Sequence, residues 1–305
     1  MNWFDYESYI EICTPLEFNF RECLKFLGRS DQEVLHQIKG DNLNKLLKVA
    51  GELILCKIGC DQTSIQVDFP LGTPTKSIRE KIAAYICEWF DLERDLSRFY
   101  EMASNDKILQ PLTHKYYGLR MICMPDLFEA LVWAIMGQQI NLTFAYTLKK
   151  RFVEHYGECL TFGGETYWLF PSFERIVSVN EDDLRGLQFT GRKTEYIIDI
   201  AKSMASGELT KDMLLQKEDT QQVKKFLMGI RGVGAWTADY VMMKCFHDPN
   251  AFPVADVGLH NALKSQLGLN RKPTIEELKE IETHWEGWQA YATFYLWRSL
   301  YDETV

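Results

Sequence analysis

The sequence predicts an α+β protein, with a small antiparallel sheet and its helices in the first third and helices alone after it. Three observations carry this reading. Ile65, Val67 and Phe69 alternate with Ser64, Gln66 and Asp68, the period-two pattern of a half-buried strand. From Asp126 onward apolar residues recur instead at helical spacing, through one segment after another. At 305 residues the chain can hold two or three domains and bury a substantial core.

Taken in order, Arg21 to Leu27 reads as a first helix. Leu53 to Ile58 is the partner of the alternating strand, joined to it through Gly59, Cys60, Asp61 and Gln62. The cluster Pro70-Leu71-Gly72-Thr73-Pro74 ends that strand, and Ser77 to Asp91 follows as a helix, with Ile78, Ile82, Tyr85, Ile86, Trp89 and Phe90 on its apolar side. These elements make residues 1–110 one domain. Residues 98–125, punctuated by Pro111 and Pro125, are expected to form a less regular connection.

Asp126 to Glu154 is a strongly apolar helical stretch interrupted at Gly137, and Asn141 is placed to cap its second half. Phe162-Gly163-Gly164-Glu165 and Phe170-Pro171-Ser172 read as loops, and Glu181 to Leu187 as a helix. Phe189 to Lys193 is a turn opening a helix from Thr194 to Ala205. Thr210 and Thr220 stand where N-caps are expected, the second before Gln221 to Met228. Residues 111–250 thus form a helical domain, and 251–305 a C-terminal helical subdomain. In the latter a helix runs from Val257 to Leu267, and Asn270 to Thr274 caps a Glu-rich helix. The closing run His284 to Tyr301 is aromatic on nearly every face, the pattern of a buried helix.

Composition excludes several classes. No apolar run approaches the roughly 18 residues of a membrane span, and the N-terminus is no signal peptide, so a cytoplasmic protein is expected. The eight cysteines are scattered through apolar segments, as reduced core thiols are, and none stands at zinc spacing from a His, so no metal is expected. The net charge of −9 argues against a nucleic-acid partner if taken as a sum. Its distribution says otherwise: residues 1–110 hold 13 basic and 18 acidic groups, whereas 191–247 hold 9 basic and 7 acidic. Basic clusters at Lys149-Lys150-Arg151, Arg192-Lys193 and Lys224-Lys225 fit a phosphate partner, and equally fit solvated helix faces.

The chain is organised around Leu227 to Leu259. Gly232 and Gly234 flank Val233, as in a tight turn between two helices, and glycine alone takes positive φ or admits a close backbone at little cost. Such a turn leaves the amides of Val233, Gly234 and Ala235 at a helix N-terminus, a ready anion site; it also fits an ordinary helix–helix corner with a glycine cap. About twenty residues on, Phe252-Pro253-Val254-Ala255 leads into Asp256, which could cap the helix at Val257. Asp239, the other acid nearby, lies within the helix after the turn, where an exposed or i,i+4 role is expected.

This combination resembles the helix-hairpin-helix DNA glycosylase superfamily, in which a Gly-hydrophobic-Gly hairpin precedes a Pro-rich loop and an essential Asp. It is most similar to the 3-methyladenine DNA glycosylase II (AlkA-type) branch, whose N-terminal domain also opens with a run like Phe18 to Ser30. The resemblance implies an all-α helix-hairpin-helix core of two helical subdomains behind the sheet domain, and an enzyme that flips a damaged base out of duplex DNA and hydrolyses its N-glycosidic bond. It assigns catalysis to Asp256 and base binding to Trp236, Tyr240 and Trp288. Gln139 becomes the wedge that fills the duplex, unless it is simply a polar loop residue. Gly232, Val233, Gly234 and Arg231 are implied to hold phosphate, joined by Arg192 and Lys193 of the second turn.

In relatives that also cleave the strand, a Lys stands just after the hairpin, where this chain has Trp236. A monofunctional enzyme acting on alkylated purines is therefore expected, ahead of an oxidised- or deaminated-base glycosylase of the 8-oxoguanine kind, or a non-catalytic DNA-binding module. The family's four-Cys iron–sulfur cluster is ruled out, since no Cys follows Cys245. A monovalent cation on the hairpin carbonyls is compatible with the resemblance. A monomer is expected, acting at the nucleoid if the source is bacterial.

Overall fold

A computed structural model describes residues 2–61 and 63–302, so Gln62 of the first expected hairpin turn lies outside the described residues. The N-terminal sheet has six antiparallel strands: β1 (Trp3–Asp5), β2 (Tyr9–Cys13), β3 (Gln37–Lys39), β4 (Asn42–Val49), β5 (Glu52–Cys60) and β6 (Ser64–Asp68), in the order β1-β2-β6-β5-β4-β3. The expected pair β5–β6 lies at its centre, in the register Ile58↔Val67 and Cys60↔Ile65. Ile10, Ile12, Ile58, Ile65 and Val67 are wholly buried, so the alternation points where the pattern places it. β4 escapes the pattern because Lys45, a polar break in its sequence, is itself buried, its ammonium over the Trp89 ring at 4.9 Å.

Helix α1 (Phe20–Leu27) starts at Asn19, whose side chain accepts from Glu22 N, and α2 (Lys76–Trp89) covers the sheet. The stretch expected to be irregular contains α3 (Ser97–Ser104) and α4 (Leu109–Lys115). Pro111 sits in the first turn of α4, where its missing N–H has no intrahelical partner to lose; the proline was a start signal and not a break. α5 (Leu127–Gly137) and α6 (Leu142–Tyr156) follow, the first capped by Asp126 and the second, as expected, by Asn141.

The Gly163-Gly164 segment is a two-residue hairpin turn and not an open loop. Both glycines have positive φ, and they join β7 (Cys159–Phe162) to β8 (Glu165–Trp168). This ribbon lies along the N-terminal sheet through Lys39–Glu165 and Lys48–Glu158 ion pairs at 3.1 and 2.6 Å. Then come α7 (Phe173–Ile176), α8 (Glu181–Gly186), α9 (Gly191–Ala205), α10 (Lys211–Leu215) and α11 (Thr220–Met228). The cap of α11 is Asp219, one residue before the expected Thr220. Across the hairpin stand α12 (Ala235–Cys245), α13 (Val257–Gln266), α14 (Ile275–Glu282) with a Thr274–Glu277 capping box, and α15 (Gln289–Ser299).

A continuous buried core runs from the sheet into the helices. Two ion pairs with both side chains nearly fully buried tie the halves together: Lys149 of α6 to Glu33 at 2.8 Å, and Arg298 of α15 to Glu22 of α1 at 2.9 Å. Removing one partner of such a pair strands a buried charge, which costs several kcal/mol, roughly 3–5. Lys149 is thus part of the fold, while Lys150 and Arg151 beside it are half-buried.

Candidate active site

Asp256 caps α13. Its Oδ1 accepts the Leu259 amide at 2.7 Å and the Trp297 indole N–H at 2.8 Å, while Oδ2 accepts the Trp236 indole N–H at 3.0 Å. Three donors from three segments fix the carboxylate in one orientation. Gly258 is part of the device: a Cβ there would stand 2.9 Å from Asp256 Oδ1 and 3.3 Å from the Trp297 ring. Capping and facing the cavity, the two readings of this acid, are therefore compatible.

The carboxylate opens onto a cavity of about 630 Å³ between α5, α6, α12, α13 and the end of α15. Its walls are aromatic. Trp236 and Tyr240 lie with ring centroids 5.9 Å apart, and Tyr240 and Trp297 6.0 Å apart, both at an interplanar angle of 34°. Trp133 Nε1 donates to Tyr240 Oη at 2.9 Å, so the phenol is held from behind. Arg29, just past α1, reaches the same cavity with its guanidinium 4.1 Å from the Phe26 ring. The N-terminal domain thus closes one side of it.

The hairpin is bound to this cavity through Gln138, whose Nε2 donates to Gly232 O and to Thr237 Oγ1, both at 2.9 Å. Gly232 has φ +91°, and a side chain there would run into the Tyr196 ring of α9. Gly234 is different: its φ is −86°, it is exposed, and nothing lies within 4 Å of the place a Cβ would take. The Val233 amide, expected to be free, donates to Ile230 O at 3.0 Å; the Gly234 and Ala235 amides have no partner among the described residues. A cation at this turn would have to share the Ile230 and Gly232 carbonyls, which already accept hydrogen bonds.

Several expected site residues stand elsewhere. Trp288 does not line the cavity; it packs against Phe99 and Tyr291 at 5.7 and 6.1 Å, and Trp297 occupies the wall instead. The two indoles are nine residues apart, two and a half helical turns, and so leave opposite faces. Lys193 is buried, its ammonium donating to Met136 O at 2.7 Å at the end of α5, and burial lowers its pKa. It steadies a helix C-terminus and is not offered to solvent. Arg231 is exposed, but Glu195 and Asp199 of α9 neutralise it. Arg192 is exposed in the first turn of α9 and makes no ion pair among the described residues. Asp239 is buried and paired with Lys224 at 2.5 Å, neither exposed nor in an i,i+4 pair.

Gln139 is exposed at the cavity rim with φ +56°, between α5 and α6. Leu142, opening α6 beside it, is 42% exposed and is the apolar bulk at that rim. Sequence reasoning passed over Leu142, Trp133, Trp297 and Arg29. For Leu142 a signal existed, an apolar residue directly after an N-cap. For the others the surroundings are assembled from distant segments.

The chain is similar to known proteins over its whole length. Residues 132–288 match the model of the HhH-GPD superfamily of base excision DNA repair proteins, and residues 12–131 that of the 8-oxoguanine DNA glycosylase N-terminal domain. The chain is 44% identical over 304 residues to a DNA-3-methyladenine glycosylase of Bacillus subtilis, covering 99% of this chain and 100% of that protein. Its fold is that of a 3-methyladenine DNA-glycosylase from Archaeoglobus fulgidus (TM-score 0.82, 22% identity, 96% and 98% of the two chains). It is also that of a Clostridium acetobutylicum 8-oxoguanine glycosylase/lyase in complex with double-stranded DNA (TM-score 0.77, 18% identity, 100% and 99%). The match of the superfamily model to half of the chain, together with the full-length relative, shows that this chain belongs to the HhH-GPD superfamily of base excision DNA repair proteins.

Proposed function

We propose that this protein is a monofunctional DNA glycosylase that removes alkylated purines of the 3-methyladenine and 7-methylguanine type from duplex DNA. The observation that carries the reading is the Asp256 carboxylate, fixed by three N–H donors in the wall of an aromatic cavity. The cavity volume falls in the range of about 300–1,000 Å³ that small-molecule sites occupy, and a purine fits it. A base inside the double helix cannot reach such a site, so it must be extruded.

N-alkylation gives the purine a positive charge. An aromatic face attracts that cation by about 0.5–2 kcal/mol, and the neutral normal base gains less. The charge also makes the base a good leaving group: the bond from the sugar C1′ to the base nitrogen breaks, its electron pair goes to the base, and the base departs neutral. Positive charge then develops on the sugar. An ionised carboxylate beside it stabilises that charge, and water adds to C1′ and gives up one proton to the solvent to leave an abasic site. Trp236 stands where a Schiff-base Lys would be needed, and its indole has no nucleophilic nitrogen to offer.

The amides of Gly234 and Ala235, without partners among the described residues and with the dipole of α12 behind them, suit a backbone phosphate, and Arg192, in the first turn of α9 and without an ion pair among the described residues, adds a positive charge. Gln139, with Leu142 near it at the cavity rim, would fill the gap left by the extruded nucleotide. A second reading, an oxidised-base enzyme, draws on the match of residues 12–131 to the 8-oxoguanine glycosylase N-terminal domain. Duplexes bearing 7-methylguanine, hypoxanthine or 8-oxoguanine decide between them. Release of 7-methylguanine with an intact abasic strand is the expected result; preferential release of 8-oxoguanine overturns it.

A further inference from the structure

Lys244, the penultimate residue of α12, lines the cavity that holds Asp256, yet the mechanism above gives it no task. It is 2% exposed, and no described carboxylate lies within 4.0 Å of its ammonium. Its neighbours are the Met121 sulfur at 4.0 Å and the Phe294 and Phe26 rings at 4.8 and 5.6 Å. Rings stabilise an ammonium only in part. A buried cation without a counter-ion either finds a polar partner or sheds its proton.

The charges around it do not settle the matter inside the protein. Arg29, just past α1, lines the cavity with it, Cys123 and Asp91 also act on its charge, and Asp256 lines the cavity as well. In the adjoining cavity of about 40 Å³, which Lys244 also lines, Glu33 is committed to Lys149, while Lys45 and Glu129 carry opposite signs. His36 is there too, kept neutral near pH 7 by burial, which lowers its pKa to about 4. For Lys244 burial is the largest influence and lowers the pKa to about 7, with Cys123 raising it, Arg29 lowering it and Asp91 raising it. Burial thus brings the charge of this residue into balance near neutral pH.

We propose that Lys244 selects the charge of the extruded base: protonated, it donates to a neutral base with acceptor atoms on the edge turned toward it; neutral, it admits a cationic alkylated purine. Two like charges sharing a partly dehydrated cavity repel strongly, so the cationic base and the lysine proton compete for one site. Linkage makes the competition reciprocal, and lowering the pH must penalise the cationic substrate relative to the neutral one.

This inference rests on the glycosylase reading. Its test measures single-turnover release of 3-methyladenine from methylated DNA and of hypoxanthine from a defined duplex, from pH 6 to pH 9, for wild type, Lys244→Met and Lys244→Arg. In the wild type the ratio of 3-methyladenine to hypoxanthine release should rise about tenfold between pH 6 and pH 8. Lys244→Met should give a ratio independent of pH beyond the substrates' own chemistry, and Lys244→Arg a ratio held at its low-pH value. A wild-type profile parallel to that of Lys244→Met overturns the proposal, as does an equal loss of both activities at every pH. Should Lys244→Met fail to fold, Lys244→Arg decides alone, and a ratio that still titrates overturns the proposal. Release of neither base by the wild type overturns the glycosylase reading itself.

Discussion

Trp236 and Asp256, twenty residues apart in the chain, are joined by an indole N–H to Oδ2 hydrogen bond of 3.0 Å. Trp236, proposed above to stand in the place of a lyase nucleophile, therefore also orients the acid. Replacing Asp256 by Asn removes the negative charge from beside the sugar and turns one acceptor into a donor that faces an N–H. Excision of 7-methylguanine should fall about a hundred- to a thousand-fold. Affinity for the damaged duplex, read by fluorescence anisotropy, should stay within about twofold, since a phosphate grip does not depend on this charge. Excision within tenfold of wild type would remove Asp256 from the chemistry.

Trp297 and Trp288 make opposite predictions although one helix carries the first and begins after the second. Trp297→Phe deletes the donor to Asp256 Oδ1 but keeps an aromatic wall, and release should drop roughly tenfold, the worth of one hydrogen bond to a charged group. Trp288→Phe loses contacts with Phe99 and Tyr291 away from the cavity, and it should lower Tm while leaving the rate unchanged. If Trp288→Phe lost as much activity as Trp297→Phe, the cavity wall would be misassigned.

The contrast between these two tryptophans marks where the sequence stops being legible. Asn141, Thr210 and Thr274 announce their helices because a cap is a hydrogen bond across three residues, and so is local. Asp256 is legible for the same reason, helped by its fixed distance from Gly232. α15, however, is buried on nearly every face, so its hydrophobic pattern has no phase and cannot say which indole meets the cavity. Lys193, Lys244 and Lys45 carry charged side chains that read as surface. Their burial is decided by Met136, Phe294 and Trp89, which come from distant parts of the chain. β4 is hidden in the sequence on that account, whereas α4 is hidden because Pro111 reads as punctuation.

The two hairpin glycines separate folding from binding. Gly232→Ala forces a Cβ into the Tyr196 ring at a backbone angle that disfavours it, and should cost about 2 kcal/mol or more, visible as a lower Tm. Gly234→Asp meets no atom, and Asp is a good N-cap for α12, so Tm should hold or rise. Its carboxylate would occupy and repel the place of a DNA phosphate. Affinity for damaged and undamaged duplexes alike should therefore fall roughly tenfold at low salt. Unchanged affinity would mean that the hairpin is not the phosphate contact.

His247 and Asp91 give the fold a dependence on pH unrelated to catalysis. His247 Nδ1 lies 3.0 Å from Asp91 Oδ1, and Tyr291 Oη and Arg94 Nε both donate to Oδ2, at 2.7 and 2.8 Å. Burial opposes the charge on each. For His247, Cys123, Asp91 and Glu88 reverse that and raise its pKa well above 6.5; for Asp91, His247 and Arg94 lower it to about 2. The raised histidine contributes stability that is complete below its unfolded pKa near 6.5 and is lost as the pH climbs toward the folded value. The lowered aspartate contributes stability that is complete above about 4 and is lost as the pH falls toward 2. Between pH 4.5 and 6.5 both contributions are whole. Urea titrations of wild type and His247→Gln should therefore differ most in that window, and the gap should narrow by up to about 4 kcal/mol as the pH rises from 6.5 to 9.5. Parallel curves across this range would show that His247 is neutral in the folded protein and that Asp91 is held by Arg94 and Tyr291 alone.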